Sequence, residues 1–224
     1  MVSLMQKKLP IEVQISKKTY RAILHDEVRQ KQSKNSHEVH HPDQKIAQIK
    51  NVLIPPRYTE KSYGNNNKIL ELFSGQGNLT KIYKEYGDVE TYDMKHLKTG
   101  DSYLQFHRLI YEKKKYDIVD IDPYGFPNRF FPDIFLLMND SYFFVTFPKP
   151  YVNILNGITR THLTAYYGNH NPTHEQVIER IATFGICHWR EVKLIDSLDL
   201  KSVWRMAFKV TKVKATEYTN TKNR

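Results

Sequence analysis

Cysteine is almost missing from this 224-residue chain, where Cys187 stands alone. One thiol cannot close a disulfide or furnish a cysteine metal cluster within the chain. It is expected to fill the core as a small apolar side chain. Long apolar runs are lacking too, since no stretch approaches the roughly 20 residues that a membrane-spanning helix needs. The start, Met1-Val2-Ser3-Leu4-Met5-Gln6-Lys7-Lys8, has no apolar centre of a secretion signal. These absences favour a soluble, cytoplasmic protein without a membrane partner. The length suits one domain, with room for a small appendage and enough chain to bury a substantial core.

Charge is present in excess and unevenly placed. The net charge is +10, and residues 1–60 hold eleven Lys/Arg against six Asp/Glu. Residues 201–224 hold seven against one, while the middle is close to neutral. A neutral centre between two basic flanks suits a polyanion gripped from the edges. A solubilising surface with a basic tail accounts for the charge equally well.

The chain is organised around Ile69-Leu70-Glu71-Leu72-Phe73-Ser74-Gly75-Gln76-Gly77. An apolar run carrying an acid stops at two glycines, and a helical pattern over 79–86 follows. The spacing predicts a strand, a tight turn and a helix start. Glycine at 75 and 77 lets the backbone bend sharply and approach a ligand without a Cβ in the way. The helix start offers unpaired N–H groups. The next strand-like run, 89–92, ends in Asp93, where a doubly wound sheet grasps a ribose. Gly100-Asp101 stands where a third strand would end, although few residues separate it from Asp93. Asp101 with Ser102 would also cap a helix over 103–113. A fourth strand, Tyr116-Asp117-Ile118-Val119-Asp120-Ile121, runs into Asp122-Pro123-Tyr124-Gly125.

This series of four elements resembles the class I S-adenosylmethionine-dependent methyltransferases over about residues 68–147. The resemblance implies a Rossmann-like α/β fold with a mostly parallel seven-stranded sheet closed by a C-terminal antiparallel hairpin. It implies S-adenosyl-L-methionine as cofactor, held by Glu71, Phe73, Gly75, Gly77, Asp93 and Asp101. Asp120-Ile121-Asp122-Pro123-Tyr124-Gly125 is similar to the D-[LI]-D-P-[FY]-G of tRNA guanine-N2 dimethyltransferases. It departs from the commoner D-P-P-Y, with Tyr124 in the place of the second proline and Gly125 in that of the aromatic. In such enzymes an acid and a backbone carbonyl each accept an N–H of an exocyclic amine. That draws the nitrogen toward tetrahedral geometry and aims its lone pair at the methyl group. The catalytic candidates are therefore Asp122, Pro123 and Tyr124, with Gly125 and Phe126 toward the substrate. Tyr124 and Phe126 are alternative partners for stacking on a base.

The implied activity is methyl transfer to an exocyclic amino group of a nucleic-acid base, with RNA favoured over DNA. A small molecule or a protein side chain is an alternative substrate. A non-catalytic cofactor-binding subunit of an RNA-modifying complex is the alternative from another class, and leaves room for a protein partner.

Elsewhere the pattern is weaker. Residues 1–66 are expected to form a basic, partly helical appendage, with a short strand at 11–15 and helices at 19–30 and 43–52. His37-Glu38-Val39-His40-His41 matches H-E-x-x-H, which binds zinc only when both imidazoles share one helix face. Pro42 follows at once and Ser33-Lys34-Asn35-Ser36 precedes, so a polar loop is expected and no metal. Tyr58 and Tyr63 lie in a turn-rich connection into the core domain, 67–211. Beyond the motifs we expect a helix at 130–138, a strand at 142–147 and a long irregular connection through Arg160, His162, Tyr166 and Tyr167. A helix at 173–184, a hairpin of 188–195 with 203–210, and a basic tail, 212–224, complete the chain.

Overall fold

Apolar residues run almost unbroken along the central strands, as expected where both faces of a strand are buried. The structure, a computed structural model, describes residues 41–53, 67–94, 98–150 and 157–213. Helix α1 (Pro42–Val52) comes first. Strand β1 (Asn67–Leu72), helix α2 (Asn78–Tyr83), strand β2 (Gly87–Tyr92) and helix α3 (Ser102–Tyr111) follow. Strand β3 (Tyr116–Ile121) leads through two 3-10 turns, Pro127–Phe130 and Ile134–Leu137, into the long strand β4 (Met138–Pro148). Helices α4 (Gly157–Tyr167) and α5 (His174–Cys187) precede strands β5 (Arg190–Asp199) and β6 (Val203–Lys212).

The sheet runs β2-β1-β3-β4-β6-β5. Strands β1 to β4 are mutually parallel, and β6 lies antiparallel to both β4 and β5. Six strands stand among the described residues where seven were expected. The one not found is the third, which was to end at Gly100-Asp101. Residues 93–101 are all that separate β2 from α3, too short a span for another helix and strand.

One face of the sheet carries Leu70, Leu72, Val119, Ile121, Phe143 and Val145 against α3, α4 and α5, through Phe106, Leu109, Leu163, Val177 and Ile181. The opposite face carries Ile69, Ile118, Phe144 and Ala207 against α1 and α2. Helix α1 lies in the stretch expected to be an appendage, yet its Ile49 is fully buried between Leu79 and Tyr83 of α2 and the sheet. Each such side chain contributes about 1.5–3 kcal/mol by leaving water.

Several local expectations are corrected. The helix expected at 130–138 is replaced by the two 3-10 turns and the start of β4. Pro127 and Pro132 punctuate that segment, and a proline ring breaks a helix interior. The connection expected to be irregular contains α4, whose buried stripe is as narrow as Leu163 and Tyr167. Thr173 caps α5 through a reciprocal box with Gln176. Cys187 is exposed, not core. The buried stripe of α5 is Val177, Ile181 and Gly185, and two residues past Gly185 the helix has turned away. The strand at 11–15, the helix at 19–30, Tyr58, Tyr63 and most of the basic tail lie outside the described residues. Of the H-E-x-x-H stretch only His41 is described, as the left-handed residue before α1.

Candidate functional site

The order of strands reverses beside β1, with β2 on one side and β3 on the other. At such a switch the chain leaves neighbouring strands in opposite directions and opens a crevice at their carboxyl ends, where open α/β sheets bind ligands. The glycine turn follows β1 and the Asp-Pro-Tyr-Gly segment follows β3, so the two signatures flank this crevice. The Asp122 N–H donates to the Leu72 carbonyl at 3.3 Å and joins the two segments directly.

On the β1 side the backbone is left-handed three times, at Phe73 (φ 65°), Gly75 (φ 55°) and Gly77 (φ 76°). Glycine adopts this freely, whereas Phe73 pays a conformational cost of about 1 kcal/mol or more. The Phe73 N–H donates to the Tyr92 carbonyl at 2.8 Å, which ties the turn to the end of β2. The Gly75 N–H donates to Asp93 Oδ2 at 3.2 Å. Asp93 is buried beneath the turn. A Cβ on Gly75 would meet nothing within 4 Å, so open space faces the bare backbone there. Ser74 Oγ is buried in the same turn with no hydrogen-bond partner among the described residues. Asp101, expected near a cofactor, is the N-cap of α3, its Oδ1 accepting from the Tyr103 and Leu104 N–H groups, each at 2.9 Å. That was the competing role for an Asp-Ser pair, and the geometry is fully developed.

Beneath the crevice lies a row of buried polar groups. Sheet register sets Glu71 beside Asp120 and Thr146 beside Arg205. All four point toward the α1 and α2 layer. Arg205 Nη1 and Nη2 meet the two Asp120 oxygens at 2.7 and 2.5 Å, with both side chains fully buried. Tyr83 Oη donates to Asp120 Oδ2 at 2.6 Å. Thr80 Oγ1 donates to Glu71 Oε2 at 2.5 Å. Burial pushes the Glu71 carboxyl up to about 8, with Asp120 and Asp122 adding to the rise against the opposing Thr80 bond and Arg205 charge. Glu71 is therefore a neutral acid at pH 7, buried in β1 just before the glycine turn.

Asp122 marks the boundary between this floor and the crevice. Lys45 Nζ, from α1, lies 2.7 Å from both of its oxygens. Lys45 is 3% exposed and the Asp122 side chain 20%. Burial alone would raise the Asp122 carboxyl. The Lys45 and Arg205 charges outweigh it, helped by hydrogen bonds from Lys45 and Thr146, and hold it at about 2. Tyr124 is 45% exposed. Burial raises its hydroxyl, and the charges of Asp93 and Asp122 raise it further. Phe126 packs edge-on against Phe147 with ring centres 5.1 Å apart and belongs to the core margin. Gly125 is exposed.

The structure thus gathers Gly75, Gly77, Asp93, Asp122, Pro123 and Tyr124 around one crevice. Sequence reasoning missed Lys45, Tyr83, Asp120 and Arg205 as members of the site. A usable signal existed for two of them. Asp120 and Arg205 interrupt runs that are otherwise apolar, Ile118-Val119-Asp120-Ile121 and Val203-Trp204-Arg205-Met206-Ala207, and such charges must find partners when buried.

No family model matches the sequence, and no curated protein matches it significantly. Solved structures match in shape. Trm1 from Pyrococcus horikoshii, solved with S-adenosyl-L-methionine, superposes with a TM-score of 0.51 at 15% identity, covering 80% of this chain and 56% of that protein. A putative S-adenosylmethionine-dependent methyltransferase from Streptococcus mutans gives 0.46 at 10% identity, covering 64% of this chain and 44% of its own. The chain therefore spans about half the length of these two neighbours. What it shares with Trm1 is the Rossmann-like fold of the S-adenosylmethionine-dependent methyltransferases.

Proposed function

We propose that this chain is an S-adenosylmethionine-dependent methyltransferase acting on an exocyclic amino group of a nucleic-acid base, RNA before DNA. The observation that carries the reading is the meeting of the glycine turn, Asp93 and Asp122-Pro123-Tyr124 at one strand-order switch. The turn suits the cofactor on its own terms. Ser74 supplies a buried hydroxyl, Gly75 open space over bare backbone, and Asp93 a carboxylate of the type that accepts ribose hydroxyls. Phe73, Gly75, Gly77 and Asp93 would hold it, while Glu71 lies buried in β1 just before the turn and Asp101 caps α3. Bound S-adenosylmethionine would supply an electrophilic methyl on a sulfonium sulfur, leaving as a neutral thioether once the amine lone pair has formed the new N–C bond.

The chain's own residues align that amine. Asp122 accepts one N–H and the Pro123 carbonyl the other. The exposed Tyr124 stacks on the base in preference to Phe126, which is spent on the core. A carboxyl held at about 2 is too weak a base to keep a proton, so Asp122 orients and the surplus proton leaves to water. Most of the acceleration is then alignment of two reactants. The basic flanks support a nucleic-acid substrate. Contact of Lys45 with both Asp122 oxygens favours the competing reading, a cofactor-binding subunit that transfers nothing.

Tritiated S-adenosylmethionine mixed with the protein and separate pools of RNA, DNA and protein decides between them, beside an Asp122→Ala control. Label in RNA that disappears in the control is the expected result. Label in DNA or protein changes the substrate. No label anywhere, with cofactor binding intact by calorimetry, leaves the silent subunit.

A further inference from the structure

The Lys45–Asp122 contact raises a question of capacity: whether an acid gripped at both oxygens can still receive a substrate. An ionised carboxylate has about four lone-pair sites. Lys45 Nζ, equidistant from the two oxygens, takes one on each. One further site is left on each oxygen, on a side chain that keeps 20% of its surface open. The count leaves room for a substrate N–H on the open side.

Lys45 is not a latch that could swing away. Its helix buries Ile49 at 0% and Gln48 at 1% exposure. Gln48 Nε2 donates to the Arg205 carbonyl at 3.3 Å, which fastens α1 to β6. The ammonium is thus presented to Asp122 by the core, across 77 residues of sequence.

We propose that Lys45 is a positioning residue for amine methylation. From the core side it clamps both Asp122 oxygens, fixes the plane of the carboxylate and leaves its open edge to accept from the substrate amine. This rests on the methyl-transfer reading above. The clamp keeps Asp122 an ionised, oriented acceptor for one N–H, and the Pro123 carbonyl takes the other.

The test compares Lys45→Met and Lys45→Arg by steady-state transfer from pH 4 to 9. Alongside, the Asp122 carboxyl carbon is titrated by NMR without cofactor. In Lys45→Met, kcat falls about 100-fold with KM changed far less, as expected when alignment is lost. An acid limb appears that wild type lacks, and the Asp122 titration moves upward. Lys45→Arg recovers most of kcat and abolishes the limb. A folded Lys45→Met with wild-type kcat and an unmoved Asp122 titration overturns the proposal, as does Lys45→Arg behaving like Lys45→Met. Should Lys45→Met not fold, Lys45→Met/Asp122→Asn serves in its place. The clamp requires this pair to fold and melt above the single variant, and an equally unfolded pair overturns it. If wild type transfers no methyl group while the Asp122 titration still moves in Lys45→Met, the transfer reading fails and the contact is structural only. If wild type transfers and the titration does not move, the reading stands and the clamp falls.

Discussion

Two acids, Asp120 in β3 and Asp122 just past its end, each hold one cation, and their surroundings separate them. Asp120 and Arg205 are both fully buried, with Tyr83 and Thr146 completing the contacts. Asp122 is partly open, and its partner Lys45 approaches from the protein side alone. Desolvating an ion pair costs several kcal/mol per charge, which the mutual attraction only roughly offsets. A sealed pair such as Asp120–Arg205 therefore serves mainly to hold β3, β4 and β6 in one arrangement. The same chemistry one layer outward keeps an acceptor ionised, oriented and reachable. With Glu71 neutral, two anions face two cations and the whole row balances at pH 7.

The comparison breaks first at the floor. Arg205→Met strands the buried Asp120 charge and is expected to cost about 3–5 kcal/mol by urea unfolding. Arg205→Met/Asp120→Leu should recover most of it. A single variant that unfolds like wild type would mean that Asp120 finds another partner. At the mouth the loss should move from stability to rate. Asp122→Asn keeps an acceptor oxygen but loses the charge that Lys45 clamps, and we expect about a 100-fold fall in kcat. Its unfolding free energy should drop by less than in Arg205→Met. Equal losses of stability in the two variants would erase the distinction between floor and mouth.

Glu71 sharpens the contrast through pH. Its folded carboxyl is raised to about 8 from the ordinary 4.5, so the folded state binds the extra proton between those values. That contribution is complete below about pH 4.5 and is lost as pH rises toward 8, with a slope of up to about 1.4 kcal/mol per pH unit. Glu71→Gln, which still accepts from Thr80, should flatten the slope and melt above wild type at pH 8.5. Melting curves at pH 5 and 8.5 for both proteins measure it, and an unchanged slope would show Glu71 already ionised. Cys187→Ser, at the exposed end of α5, should alter stability by under about 0.5 kcal/mol.

Legibility followed distance along the chain. The β1–glycine–α2 passage was plain because a few adjacent residues dictate it, and Gly75 and Gly77 take the left-handed backbone that the turn demands. The end of β3 was equally plain, with an apolar run stopped by an acid and a proline. Helix α4 was obscured because little more than Leu163 and Tyr167 marks its buried side. That no strand stands in the third place among the described residues was signalled by the short interval between Asp93 and Gly100, although the general pattern still argued for seven.

By itself the sequence determined the alternation of strands and helices, the glycine turn, and the acids at the ends of β2 and β3. These are local matters of period, backbone freedom and strand termination. Only the tertiary structure decided which cation each acid meets, joining Lys45 to Asp122 over 77 residues and Arg205 to Asp120 over 85. No local preference encodes such a pairing. It follows from sheet register and from α1 settling on the core, which set a charge where desolvation makes a partner obligatory.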